Sequence, residues 1–358
     1  MSGLFIIAEA GVNHNGQIDM ALKLIDVAAD AHADAVKFQT FRADLLVSRK
    51  TPLAEYQRHA NAPETSQYEM LKSLELSPAQ HVILRDYANK RGIQFLSTPF
   101  DSSSLRLITT DLGITTIKVP SGEITNVPYL VEVARVASHV ILSTGASSLA
   151  EVRIAINALA YGFANARGIP TEEEIDRADD VHSEDVRSRV TLLHAVTSYP
   201  APTSEMNLRA MHTLREHFGC RVGLSDHTLG SHISIAAVAL GAQVIEKHFT
   251  LDRTLRGPDH ASSLEPHELT DLVVAARQVV DAVGDGTKQA QPSELSNREI
   301  VRRAIVAIRP INAGEILSEE NIGLRRPSSG LAPQAWWSTV GTTAQQNYSP
   351  GDPIHPSH

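Results

Sequence analysis

A single cysteine, Cys220, stands in a chain of 358 residues, so no intrachain disulfide framework is available. A lone thiol fits a reducing compartment, and beside the apolar start of a strand-like run it reads as packing rather than as a nucleophile. Long apolar runs are missing as well. Leu4-Phe5-Ile6-Ile7-Ala8 is too short for a signal-peptide core and follows no basic segment, and no other stretch approaches a membrane span. Positive charge is in short supply: 32 Lys and Arg face 41 Asp and Glu, a formal net charge of −9. General attraction to nucleic acid or to an anionic membrane is thereby disfavoured, and an anionic substrate has to be held by local cationic groups. A cytoplasmic protein with neither nucleic-acid nor membrane partner is expected.

Apolar residues make up 42% and charged residues 20%, enough for a sizeable core. Short β-branched runs at Phe5–Ala10, Ala35–Phe41, Gln94–Phe100, Thr116–Pro120, Val140–Thr144, Val190–Val196, Val222–Ser225 and Val244–Phe249 read as strands. Between them, Met20–Ala31, Pro78–Lys90, Val127–Ala137, Leu149–Ala160, Ser231–Leu240 and Pro266–Val283 carry apolar residues at helical spacing. Eight strands alternating with helices predict an α/β fold, a (β/α)₈ TIM barrel over residues 1–283. An open doubly wound sheet also alternates, but no Gly-x-Gly-x-x-Gly follows the first strand. Two connections are long: Arg42–Ser77, carrying Tyr56, Asn61 and Tyr68 and placed where a lid would sit, and the acidic 162–189, expected to be a solvated insertion with a short helix capped by Thr171. A polar linker is expected over 284–297 and a small Gly- and Pro-punctuated domain over 298–358, with a strand at Arg303–Ile308.

Polar residues gather at the predicted C-terminal strand ends, where barrel enzymes place their chemistry. They are Glu9, Asn13, His14; Lys37, Gln39; Ser97, Thr98; Lys118, Ser121, Glu123; Ser143, Thr144; Thr197, Tyr199; Ser225, Asp226, His227; and Glu246, Lys247, His248. Lys37 and Lys118 with small hydroxyls suit a phosphate or carboxylate. Taken singly, each lysine reads equally well as a surface side chain that buries only its stem. His227 and His248 end neighbouring strands and could share one open-coordinated divalent ion, Mn²⁺ rather than structural zinc; hydrogen bonding in the core is the plainer role. Glu9 reads either as an acid/base or as the ion-pair partner of Lys37. Asp259 is a loop aspartate that could hold sugar hydroxyls. From the residues alone, the site takes an anion, a metal and a polyhydroxylated partner.

Taken in order, Ile6-Ile7-Ala8-Glu9-Ala10-Gly11-Val12-Asn13-His14-Asn15-Gly16, Val36-Lys37-Phe38-Gln39-Thr40, Phe95-Leu96-Ser97-Thr98-Pro99-Phe100, Lys118-Val119-Pro120-Ser121-Gly122-Glu123, Ile141-Leu142-Ser143-Thr144-Gly145, Gly223-Leu224-Ser225-Asp226-His227-Thr228 and Ile245-Glu246-Lys247-His248-Phe249-Thr250 resemble the sialic acid synthase family over nearly the whole chain. Gly314-Glu315-Ile316-Leu317 and Leu324-Arg325-Arg326-Pro327 look like that family's C-terminal antifreeze-like (SAF) domain. The resemblance implies condensation of phosphoenolpyruvate with an N-acylated mannosamine-type sugar to a sialic acid. N-acetylneuraminate synthesis is the first reading, and N,N'-diacetyllegionaminate synthesis from 2,4-diacetamido-2,4,6-trideoxymannose is the alternative. It implies Mn²⁺, with Mg²⁺ second, on His227 and His248, and Glu9 as acid/base. It implies phosphoenolpyruvate on Lys37, Thr98, Lys118, Ser121, Ser143, Thr197 and Ser225. The sugar falls to Gln39, Glu123, Tyr199, Asp259 and Arg326, the last reaching over within a domain-swapped homodimer. Thr197 stands where some members carry asparagine, and Ala146 where methionine is usual. A Schiff-base aldolase using Lys37, Lys118 or Lys247, and a sugar-binding protein without catalysis, are the competing readings.

Overall fold

The computed structural model describes residues 3–53, 66–165, 167–178, 183–326 and 329–355. It divides into two compact units, Met1–Gly284 and Asp285–His358. In the first, eight parallel strands form one sheet: β1 (Phe5–Gly11), β2 (Ala35–Thr40), β3 (Gln94–Pro99), β4 (Thr116–Val119), β5 (His139–Ser143), β6 (Val190–Ala195), β7 (Arg221–Asp226) and β8 (Val244–His248). Hydrogen-bonded neighbours run β3-β2-β1-β8-β7-β6-β5-β4, and β3 lies against β4, which completes the ring of a TIM-like barrel.

The alternation of side chains along each strand explains why these runs fold this way. One set faces the helices: Ile6, Ala8, Val36, Phe38, Phe95, Val140, Leu192, Leu224 and Ile245 join the main core. The other set faces the barrel axis, where Ile7, Ala35, Leu96, Ile141, Leu193 and Val244 form a separate apolar plug. Gly223 on β7 belongs to that layer, because a Cβ there would lie 2.2 Å from the Val244 carbonyl oxygen and 2.8 Å from Leu193. Two residues beyond the plug, on the same face, come Glu9, Lys37, Thr98, Ser143, Ser225 and Glu246. The plug thus sets the floor on which the polar side chains stand.

The helices begin and end where the sequence supplies caps. Ser77 and Gln80 form a reciprocal capping box for Pro78–Arg91, and Gly92 closes that helix in the left-handed conformation. Thr171 caps Glu172–Arg177 in the same manner. The 162–189 stretch departs from a solvated insertion. Gly162 still belongs to helix Leu149–Ala164, Glu184–Arg189 adds another helix, and Ile175 and Val186 are buried anchors. Helix Ala210–Phe218, between β6 and β7, was not foreseen; its buried Met211, Leu214 and Phe218 are spaced for one face.

In the second unit, β9 (Ala304–Ala307) pairs antiparallel with β10 (Ile322–Arg325) over a core of Ile305, Ala307, Ile311, Leu317, Ile322, Ala344, Tyr348 and Ile354. A helix, Leu295–Val301, begins inside the stretch expected to be linker. The backbone N–H of Gln291 donates to Glu294 at 2.8 Å, starting the turn that leads into it.

Candidate active site

A cleft of about 390 Å³ opens at the C-terminal ends of the strands. Its lining includes Glu9, Lys37, Gln39, Thr98, Lys118, Ser121, Glu123, Ser143, Thr197, Tyr199, Ser225, His227, His248 and Asp259, so fourteen residues chosen from sequence share one cavity. Arg326 belongs to the second unit, exposed and one residue past β10. Tyr56 and Asn61 lie outside the described residues.

Several strand-end polar residues face the other way. Ser97 bonds Thr40 at 2.6 Å, and Thr144 donates to the Leu193 carbonyl at 3.0 Å. Asn13 donates to the Phe249 carbonyl and Ser263 Oγ, tying β1 to the segment after β8. His14 accepts from the Gly16 backbone N–H at 3.0 Å, and burial lowers its pKa to about 4. Asp226 and Lys247 pair with each other behind the strands, Nζ to Oδ2 3.0 Å. Lys247 is therefore not a cleft lysine.

On the cleft floor two ammonium groups meet two carboxylates. Lys37 Nζ lies 2.6 Å from Glu9 Oε2 and donates to Thr98 Oγ1 at 2.9 Å. Glu246 lies 3.7 Å from Lys37 and 3.4 Å from Lys118, and Ser225 Oγ donates to it at 2.8 Å. All four charged groups are buried, yet their environments separate them. For Glu9 burial dominates, outweighing the pull of Lys37, and its pKa rises to about 7. Burial would raise Glu246 too, but Lys118 and Lys37 outweigh it and hold that carboxyl at about 2. Burial opposes the charge on Lys37, and Glu246 and Glu9 more than compensate. For Lys118 burial wins and its pKa falls. Glu246, present among the strand-end residues but given no role from sequence, is the hub. Its position two residues before His248 on an alternating strand was the available signal.

Small hydroxyls surround this floor. Ser121 Oγ stands 3.4 Å from Thr197 Oγ1, and Gly145 makes that approach feasible, since a Cβ there would sit 2.4 Å from Thr197 Oγ1. Thr197 therefore belongs to the hydroxyl-lined wall of the cleft.

The rings of His227 and His248 are 5.7 Å apart, centroid to centroid, with Tyr199 against His227 at 4.1 Å. His227 Nδ1 donates to the Val196 carbonyl at 2.7 Å, which leaves the lone pair on Nε2. Burial lowers the pKa of both imidazoles, so both are neutral at pH 7, the form that ligates metals. His248 Nδ1 is buried without a hydrogen-bond partner among the described residues, and Asp259 Oδ2 lies 3.8 Å away. Burial raises the Asp259 pKa to about 6. Among the described residues no group of three or more His, Cys, Asp or Glu side chains forms a metal cage. The pair fits an ion that keeps open positions for water or substrate oxygens.

The third part of the cleft is apolar. Val12, Phe41, Leu46, Val47, Met70, Leu71, Leu74 and Phe100 line its outer side, mostly from the long connection after β2.

This architecture defines a TIM-like barrel enzyme with a charged, hydroxyl-lined cleft at its mouth, and the comparisons give its family. The NeuB family model matches residues 24–288 and the SAF domain model matches 302–358. The chain belongs to the NeuB family. It is 47% identical over 348 residues to N,N'-diacetyllegionaminic acid synthase of Campylobacter jejuni, covering 97% of this chain and 98% of that protein. The same-named enzyme of Legionella pneumophila is 44% identical, covering 97% and 92%. Among solved structures, the N-acetylneuraminic acid (sialic acid) synthetase of Leptospira borgpetersenii in complex with citrate is 33% identical, with TM-score 0.66 over 83% of this chain and 91% of that one.

Proposed function

We propose that this chain condenses phosphoenolpyruvate with an open-chain N-acylated aminosugar, releasing phosphate and a nine-carbon 2-keto-3-deoxy sugar acid. The observation that carries the reading is the floor itself: Lys37, Lys118, Glu9 and Glu246 ringed by hydroxyls, with two neutral imidazoles at the side. Lys37, Lys118, Thr98, Ser121, Ser143, Thr197 and Ser225 hold the phosphate and carboxylate of phosphoenolpyruvate through charge-assisted hydrogen bonds. Gln39, Glu123, Tyr199 and Asp259 hold the sugar. C3 of phosphoenolpyruvate attacks the aldehyde carbon, water adds at C2, and phosphate leaves with its bridging oxygen. The ionised Glu246 carboxylate in the floor stabilises the cationic C2 centre, and Glu9, with its pKa raised to about 7, carries the acid/base role. A divalent ion, Mn²⁺ with Mg²⁺ as the alternative, is assigned to His227 and His248, where it would polarise the aldehyde oxygen.

The two full-length relatives named for diacetyllegionaminic acid favour 2,4-diacetamido-2,4,6-trideoxymannose as the sugar, ahead of the N-acetylmannosamine ranked first from sequence. Arg326 of the partner subunit is assigned to the N-acyl group in a swapped homodimer. No described helix is long and apolar enough to cross a membrane, and a cytoplasmic site of action is part of this proposal.

Phosphate release tests the reaction. It should require both phosphoenolpyruvate and sugar, vanish in chelator and return with Mn²⁺. Full activity after metal stripping would refute the metal role, and no release with either sugar would refute the condensation.

A further inference from the structure

We infer that the apolar side of the cleft is the specificity wall of the enzyme, receiving the 6-methyl group of the trideoxy sugar. This rests on the condensation reading above. Phe41, Met70 and Leu74 are buried, and Leu46, Leu71 and Phe100 pack against them in a cluster separate from the main barrel core. Phe41 follows β2 and Phe100 follows β3, and their rings meet edge-on at 6.1 Å. The wall therefore stands just beyond the strand ends, above the polar floor.

Among the described residues of the same connection no charged side chain lines the cleft, and Asp44, Lys72 and Glu75 satisfy one another. Lys72 pairs with Glu75 at 2.8 Å and with Asp44 at 3.7 Å, and Tyr68 donates to Asp44 at 2.8 Å. Gln67 is the one polar side chain that the described part of the connection contributes to the cleft lining.

Direction along the substrate follows from the barrel order. His227 follows β7 and His248 ends β8 on one side of β1, whereas Phe41 and Phe100 extend β2 and β3 on the other. A sugar whose aldehyde carbon sits beside the imidazoles and whose chain crosses the cleft past β1 brings its far end, C4 to C6, to the wall. There a methyl group finds apolar contacts, while a 6-hydroxyl loses its water with Gln67 as the one polar side chain that the described part of the connection brings to the cleft. A pocket of this kind discriminates by roughly ten- to a hundredfold, the range for a methyl or hydroxyl difference against apolar side chains.

The test compares kcat/KM for 2,4-diacetamido-2,4,6-trideoxymannose and N-acetylmannosamine in the wild type and in two variants, Met70→Gln and Leu71→Gln. Met70→Gln keeps the side-chain length, and half-buried Leu71 offers a second probe should the buried site unfold. The wild type should favour the trideoxy sugar at least about tenfold, and a variant should narrow that ratio by about fivefold or more. KM for phosphoenolpyruvate should stay within about twofold, since the floor is untouched. Equal kcat/KM for the two sugars in the wild type, or an unchanged ratio in folded variants, would overturn the wall. Phosphate release from neither sugar would instead overturn the condensation on which the wall depends.

Discussion

Lys247 Nζ lies 3.0 Å from Asp226 Oδ2, and the two residues face each other in register across β7 and β8 on the side away from the cleft. Asp226 also accepts from the Thr228 backbone N–H, Thr228 Oγ1 and Ser234 Oγ, at 2.8, 2.8 and 2.6 Å. Each residue adjoins a cleft histidine in sequence, so the pair fastens the strand tips that carry His227 and His248. It also removes Lys247 from contention as a Schiff-base amine.

Lys247→Met leaves a buried carboxylate without its cation. Stability should fall by about 3–5 kcal/mol, the cost of breaking a buried pair from one side. Denaturant titration reads this directly. Borohydride with either substrate should trap no adduct on Lys247 in the wild type; a trapped adduct would restore the aldolase reading.

Lys118→Met should act on phosphoenolpyruvate and leave the sugar alone. A charge-assisted hydrogen bond contributes about 1.5–3 kcal/mol, so KM for phosphoenolpyruvate should rise by about ten- to a hundredfold. Glu246 keeps Lys37 at 3.7 Å and Ser225 at 2.8 Å, which argues for a folded variant. Steady-state kinetics with each substrate varied in turn separates the two effects.

The eight strands were legible from sequence to within about a residue at most ends because barrel strands are short apolar runs buried on both faces. Helix Ala210–Phe218 is hard to read from sequence because its buried face rests on only three residues, Met211, Leu214 and Phe218, among exposed Arg215, Glu216 and His217. The cleft was legible as a set of strand ends, but which residues point inward depends on alternation. Glu246 and His248 share one face and Lys247 takes the other, yet all three look alike as strand-end polar residues. The hub role of Glu246 depends on Lys37 and Lys118 converging from β2 and β4, a three-dimensional fact that no local string carries. The apolar wall was hidden for a related reason: Met70, Leu71 and Leu74 read as an ordinary amphipathic turn until the barrel mouth is placed beneath them.

His14 gives the fold a pH dependence. Its folded-state pKa is lowered by burial from 6.5 to about 4, so the native state resists protonation that the unfolded chain accepts. Its contribution to stability is fully present above about pH 6.5 and is lost as pH falls toward 4. Between pH 8 and pH 5 the loss should amount to about 2 kcal/mol from this residue. A urea midpoint that falls over this interval in the wild type, and falls less in His14→Gln at matched conditions, is the expected outcome. Equal slopes would mean that His14 does not titrate on unfolding.

The most direct measurement follows one oxygen atom. Phosphoenolpyruvate labelled with ¹⁸O at the bridge between C2 and phosphorus is turned over with 2,4-diacetamido-2,4,6-trideoxymannose, and both products are weighed by mass spectrometry. If the floor of Lys37, Lys118, Glu9 and Glu246 supports attack at C2, the label leaves in inorganic phosphate and the nine-carbon acid is unlabelled. Label retained in the sugar acid, or phosphate formed without any nine-carbon product, would contradict the proposed chemistry.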